Sequence, residues 1–166
     1  MAVLPVLRFP DPRLKQPAAP VGSVDAAALA LAGDLLDTMR ASPACVGLAA
    51  TQVGAGRRAF VVDVSGHRKG VSNHGQIVLF DPEVVEAAAP VVAREGCLSV
   101  PDLTGDVARA TVVVVRGLGA AGAPLTVKAE GFEARALLHE IDHLDGLLFL
   151  DRVESHAAVF RRRVYR

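Results

Sequence analysis

Between His139 and His143 the chain reads HEIDH, two imidazoles four residues apart with a carboxylate directly after the first. On a helix that spacing stacks both histidines on one face. Glu140, one step round, can reach a metal-bound water without being a ligand itself. A helix with surface His, Glu and Asp would carry the same letters, so the surrounding residues must decide. Phe132 and Ala136 lie seven and three positions before His139 and share its face, either as an apolar substrate pocket or as ordinary core. A catalytic site of the zinc type needs a third protein ligand. One protease pattern, HExxHxxGxxH, is matched through Gly146 and then meets Phe149 where a histidine is required. Another uses a glutamate on a later helix, but only Glu154 lies downstream and just 23 residues remain after His143. Upstream, Cys97 in EGCLS follows a long β-type run and a glycine. It reads either as a thiolate at a strand end, completing a nitrogen–sulfur set, or as a small buried hydrophobe.

These residues need a scaffold, and 166 residues supply one domain with a hydrophobic core. With 51% hydrophobic residues the chain is not disordered, and its formal net charge of zero gives no overall sign of a nucleic-acid or membrane-surface binder. No segment reaches the length of a membrane span, and prolines interrupt the N-terminal MAVLPVLRFPDPRLKQP where a signal peptide needs a continuous apolar stretch. The expectation is a cytoplasmic protein whose two cysteines, Cys45 and Cys97, stay reduced.

Leu29, Leu31, Leu35, Leu36 and Met39 predict a first helix over Asp25 to Arg40, capped by Ser23 or Asp25 and ended by Ser42-Pro43. Valine-rich runs then predict strands at Ala59 to Val64, Ile77 to Phe80, Val84 to Val92, Val112 to Val115 and Leu125 to Ala129. They follow one another without helices between them, which favours antiparallel or mixed pairing over a βαβ array. The HEIDH helix should span Phe132 to Leu144 and end near Gly146, with a short third helix over Glu154 to Arg163. The expected fold is a single α+β domain over residues 1–166, its sheet packed around the HEIDH helix.

Three segments together, GLAATQ (Gly47 to Gln52), EGCLS (Glu95 to Ser99) and HEIDH, resemble the signature motifs of the peptide deformylases, in the family's order. The resemblance runs from DPRL near Asp11 to FLDRV near Val153. It implies a hydrolase that removes the N-formyl group from the N-terminal formyl-methionine of new polypeptides and releases formate. It also implies that Cys97, His139 and His143 bind one divalent metal ion and that Glu140 is the general acid–base. Gln52 and the backbone N–H of Leu98 become the oxyanion donors. Ferrous iron is the metal the family favours, and zinc, nickel or cobalt suit the same donors. Gly47 belongs to a segment that pairs with substrate as an added strand, and Val46, Leu98, Phe132 and Ala136 would line the methionine pocket. Arg109 and Asp142 are expected to pair and steady the ligand helix.

Two positions depart from the family pattern. Cys45 stands where the first motif usually has another glycine, and Asp81 replaces a common Asn, with little consequence expected. The competing readings are a deformylase-like binding protein without catalysis and, less favoured, an HExxH zinc peptidase. The Arg-rich tail from Val159 to Arg166 is expected to assist docking at the ribosome, and deleting Arg161 to Arg166 to leave peptide turnover nearly intact. Neither a membrane nor a specific DNA partner is expected.

Overall fold

The first helix, α1 (Ala26–Ala41), begins where the Asp25 carboxylate accepts a hydrogen bond from the Ala28 N–H at 2.8 Å. It buries Ala28, Ala32, Leu35 and Met39, a helical stripe, against the sheet. In this computed structural model, which describes residues 2–163, the sheet then follows as β1 (Gly47–Ala49), β2 (Ala59–Val62), β3 (Ile77–Cys97), β4 (Val100–Leu118) and β5 (Pro124–Glu130). The second helix, α2 (Gly131–Leu144), and a last strand, β6 (Val159–Arg161), complete the single domain. The sheet order is β1-β2-β3-β4-β5, with β6 on β4. Every ladder is antiparallel, and one isolated parallel bridge joins Ala19 to Arg57.

Strand β2 explains why AFVV is apolar throughout. Phe60 and Val62 pack with Leu137, Ile141 and Leu144 of α2, while Ala59 and Val61 pack with Leu35 and Met39 of α1. The two helices therefore cover opposite faces of the sheet there. The α2 helix ends at Gly146, where φ is +78° and the Leu147 N–H returns to the Asp142 carbonyl at 2.8 Å. A Cβ at Gly146 would lie 2.6 Å from the Lys15 carbonyl oxygen, so both conformation and space demand glycine.

Three expectations change. Ile77 to Phe80 and Val84 to Val92 are one strand, bent where the register shifts between Phe80 and Glu83. Asp81 sits at that shift with φ +49°, and its carboxylate accepts from the N–H groups of Val21 at 2.7 Å and Gly22 at 2.8 Å. It thus ties down the N-terminal segment rather than being inconsequential. The short C-terminal helix over Glu154 to Arg163 does not form. Its place is taken by a 3-10 turn at His156–Ala158 and by β6, which pairs with Leu103, Thr104 and Gly105. That stretch of β4 runs beyond the reach of β5 and leaves an open edge, which the 159–161 backbone fills. No helix among the described residues is long and apolar enough to cross a membrane.

Candidate active site

Strand β1 is an edge strand, paired among the described residues only with β2, and Val46 and Gly47 line a cavity of about 270 Å³. The two-residue turn Leu98–Ser99 between β3 and β4 brings Cys97 and Leu98 to the same cavity. The α2 helix contributes Phe132, Ala136, His139 and Glu140. The 3-10 turn at Ala50–Val53 adds Gln52, whose Oε1 accepts from the Ala49 N–H at 3.0 Å. Every candidate site residue thus lines this one space except His143, which lies beneath it, 1% exposed, with its Nε2 3.3 Å from the Cys97 Sγ.

The donor atoms converge. His143 Nε2 is 3.2 Å from His139 Nε2, and the ligating atoms of Cys97, His139 and His143 all lie within 4.8 Å of one another. Tetrahedral coordination at ordinary Zn–S and Zn–N bond lengths separates donors by about 3.3–3.6 Å. The residues present therefore fit a metal ion of this class. Gln52 Nε2 is 3.6 Å from the same sulfur and donates to Ser99 Oγ at 3.1 Å.

Glu140 is buried beside the donors, and its Oε2 has no hydrogen-bond partner among the described residues. Burial pushes its carboxyl up to about 7, against the opposing pull of His139. A carboxyl so placed can both take and return a proton near neutrality. Gly47 makes room for it, since a Cβ there would lie 2.7 Å from Glu140 Oε1 and 3.0 Å from its Cγ.

The expected Arg109–Asp142 pair is present at 2.5 Å, but it is one edge of a larger network. Glu95 accepts from Arg109 Nε and Nη2, both at 2.9 Å, and from Arg135 Nη1 at 2.8 Å, and lies 2.6 Å from His139 Nδ1. Arg152 holds the other side of Asp142 at 2.6 and 2.8 Å. Burial alone would raise the Glu95 carboxyl, yet hydrogen bonds from Arg109 and His139 take it well below its usual range. Burial opposes the proton on His139, but hydrogen bonds to Cys97 and Glu95 outweigh it and raise that imidazole. For His143, burial and the charge of His139 lower the pKa and favour the neutral imidazole. Glu95 aims His139 Nδ1 so that Nε2 faces the sulfur side.

The residue types of Glu95, Arg135 and Ser99 gave no signal of these roles. Only the adjacency of Glu95 to Cys97 could have hinted at one. Cys45 also lines the cavity, its Sγ 3.1 Å from the Gly47 carbonyl, and burial with the nearby Glu140 pushes its thiol up to about 12. Both cysteines are free. From the tail, whose deletion from Arg161 onward was expected to leave peptide turnover nearly intact, Arg162 lines the cavity, while Val164 to Arg166 lie outside the described residues.

A family model for polypeptide deformylase matches residues 3–158. The chain belongs to the polypeptide deformylase family. The peptide deformylase of Syntrophobacter fumaroxidans is 42% identical over 164 residues, covering 98% of this chain and 94% of that protein. Among solved structures, the Ehrlichia chaffeensis peptide deformylase in complex with actinonin superposes with a TM-score of 0.87 at 35% identity, covering 95% of this chain and 92% of that one. The Met-Ala-Ser-bound class I type b peptide deformylase of Acinetobacter baumannii gives 0.84 at 35% identity, covering 92% and 100%. Deformylases are metal-dependent hydrolases that act on nascent formyl-Met peptides, and the Cys97, His139 and His143 donors suit that dependence. The reaction of this chain is deformylation, and nothing favours the silent-module or peptidase alternatives.

Proposed function

We propose that Cys97, His139 and His143 hold one divalent metal ion, with ferrous iron as the working metal, and that residues 1–166 act as one catalytic domain. Zinc, nickel or cobalt satisfy the same nitrogen–sulfur donors. The observation that carries this reading is the convergence of three donor atoms beside an unpartnered, buried Glu140 oxygen. Bound there, such an ion supplies Lewis acidity and water of lowered pKa. Glu140 takes a proton from the water as its oxygen attacks the formyl carbon, then delivers it to the amine nitrogen as the C–N bond breaks. Formate and a free methionine amine result. Negative charge develops on the formyl oxygen, where the Gln52 Nε2–H and the Leu98 backbone N–H donate. Loss of one such donor typically costs about 2.7–4 kcal/mol of barrier stabilisation.

The peptide lies along the open edge of β1 at Val46 and Gly47, as an added strand. Val46, Leu98, Phe132 and Ala136 receive the methionine side chain, a reading supported by their shared lining of the cavity. The Met-Ala-Ser complex of the Acinetobacter enzyme supports the same substrate class. The cytoplasm is the site of action. Docking at the ribosome falls to the Arg-rich tail from Val159 to Arg166, in which Arg161 and Arg163 are exposed and do not line the cavity. Replacing both with Ala should lower co-sedimentation at low salt, and unchanged co-sedimentation would remove the docking role.

The activity is tested by formate release from formyl-Met-Ala-Ser on metal-analysed protein, with Met-Ala-Ser and acetyl-Met-Ala-Ser as controls. Formate from the first alone is expected. Cleavage of an internal bond would point to a peptidase, and binding without turnover to a silent module.

A further inference from the structure

The cavity's mouth is ringed by three cationic side chains that take no part in the proposed chemistry. Arg94 and Arg162 stand on the β3 side, and Lys69 comes from the loop that also brings the His67 ring beside Phe132. Among the described residues, the only carboxylates lining the cavity are Glu95 and Glu140, both buried, and Glu95 is already paired with Arg109 and Arg135.

Each cation is held in place. The ring of His67 stacks on Phe132 at 4.5 Å, and the Lys69 Nζ lies 5.9 Å from the same ring's centroid. Their loop is fastened to α2 by Glu133, which accepts from the His74 N–H at 2.7 Å. Arg94 donates through Nε to Asp106 at 2.7 Å while its guanidinium lies 3.7 Å over the Phe160 ring. Arg162 is delivered by β6. Its N–H donates to the Asp102 carbonyl at 2.9 Å and its guanidinium reaches over Gly96, with Nη2 3.5 Å from the Cys97 carbonyl oxygen. Among the described residues, no carboxylate lies within ion-pair distance of Arg162 or Lys69.

We infer that Arg162, supported by Arg94 and faced by Lys69, is a specificity residue that favours an acidic side chain just after the substrate's methionine. The inference rests on the deformylase activity and on the peptide lying along β1. A peptide whose methionine occupies the pocket extends past this mouth, where a carboxylate meets the exposed guanidinium groups of Arg94 and Arg162 and the Lys69 ammonium. The chain as a whole is neutral, so the ring is a local feature and not a consequence of bulk charge.

The test uses metal-loaded full-length protein and formyl-Met-X-Ala and formyl-Met-Ala-X peptides with X as Glu, Gln or Lys. All are amidated at the C-terminus, so that only the side chain supplies a carboxylate. At low salt, Glu is expected to exceed Gln in kcat/KM by about 3- to 10-fold in formyl-Met-X-Ala, the scale of one or two partly exposed ion pairs, and by less in formyl-Met-Ala-X. The difference should sit mainly in KM and shrink as salt screens it. Arg162→Glu should invert the Glu-to-Lys order, Arg162→Lys should keep part of the preference, and Lys69→Glu should weaken it independently of β6. Deformylation that is blind to X, or an order unchanged in both charge-reversal variants, overturns the inference. If none of the peptides releases formate, the activity itself fails and the inference falls with it.

Discussion

Glu95 and Arg94 are neighbours on β3, yet they belong to different kinds of electrostatics. Glu95 points into a dry network in which the side chains of Glu95, Arg109 and Asp142 are 7%, 3% and 7% exposed. Arg94 points to the cavity mouth, 48% exposed, with Asp106 as its only carboxylate partner among the described residues. Buried charges bind strongly to each other because each has lost its water, and removing one leaves the rest uncompensated. Solvated charges retain their water and contribute little to stability. The network beneath the donors can therefore hold geometry, whereas the rim can only bias what enters.

The largest effect should come from the buried side. Glu140→Gln should keep metal and melting temperature while kcat falls by about 10²–10⁴-fold, the usual share of a positioned acid–base. Near-normal turnover with metal present would break the assignment of the buried oxygen. Arg109→Ala should destabilise the fold by about 3–5 kcal/mol, because Glu95 and Asp142 each lose a buried partner. A urea titration that shows less than 1 kcal/mol, roughly the surface value, would erase the contrast between the regions. Glu95→Gln should be gentler on the fold but should weaken metal affinity by about 10–100-fold, because His139 loses its aim. Competition with a chelator reads that loss directly.

Acid should attack the same network. The Glu95 carboxyl is held below its ordinary value of 4.5, so its contribution is fully present above that pH and is lost as pH falls below it. Wild type should lose stability below about pH 4.5 more steeply than Glu95→Gln, and parallel curves would place the acid sensitivity elsewhere. The smallest effect belongs to the rim. Arg94→Ala should shift stability by less than about 1 kcal/mol, and a larger drop in melting would show that Arg94 holds β6 through Phe160 as much as it faces solvent.

Much of the site was legible from residue types. Histidines four apart, a carboxylate beside them and a cysteine in EGCLS are chemical statements that survive without coordinates, and the motif order identified which set they formed. The α1 boundaries were right to within a residue because an Asp cap and a leucine stripe are local signals. The first half of β4 was not legible, since its Pro101, Asp102, Gly105 and Asp106 resemble a loop. It is a strand because β3 offers it a ladder from Glu95 and Gly96 onward.

The sequence by itself determined which atoms could do chemistry and where α1 and α2 lie, because side-chain type and a 3.6-residue period are properties of the chain alone, whereas the third helix expected over Glu154 to Arg163 did not form. Only the tertiary structure decided that Glu95 aims His139, that the C-terminal residues 159–161 form a strand, and that Arg162 reaches the cavity. Each of these depends on a partner supplied from far along the chain: an imidazole 44 residues away, or an open edge at Leu103 to Gly105. No local pattern encodes such partners, because an unpaired backbone edge or a buried carboxylate takes whichever group the fold brings to it.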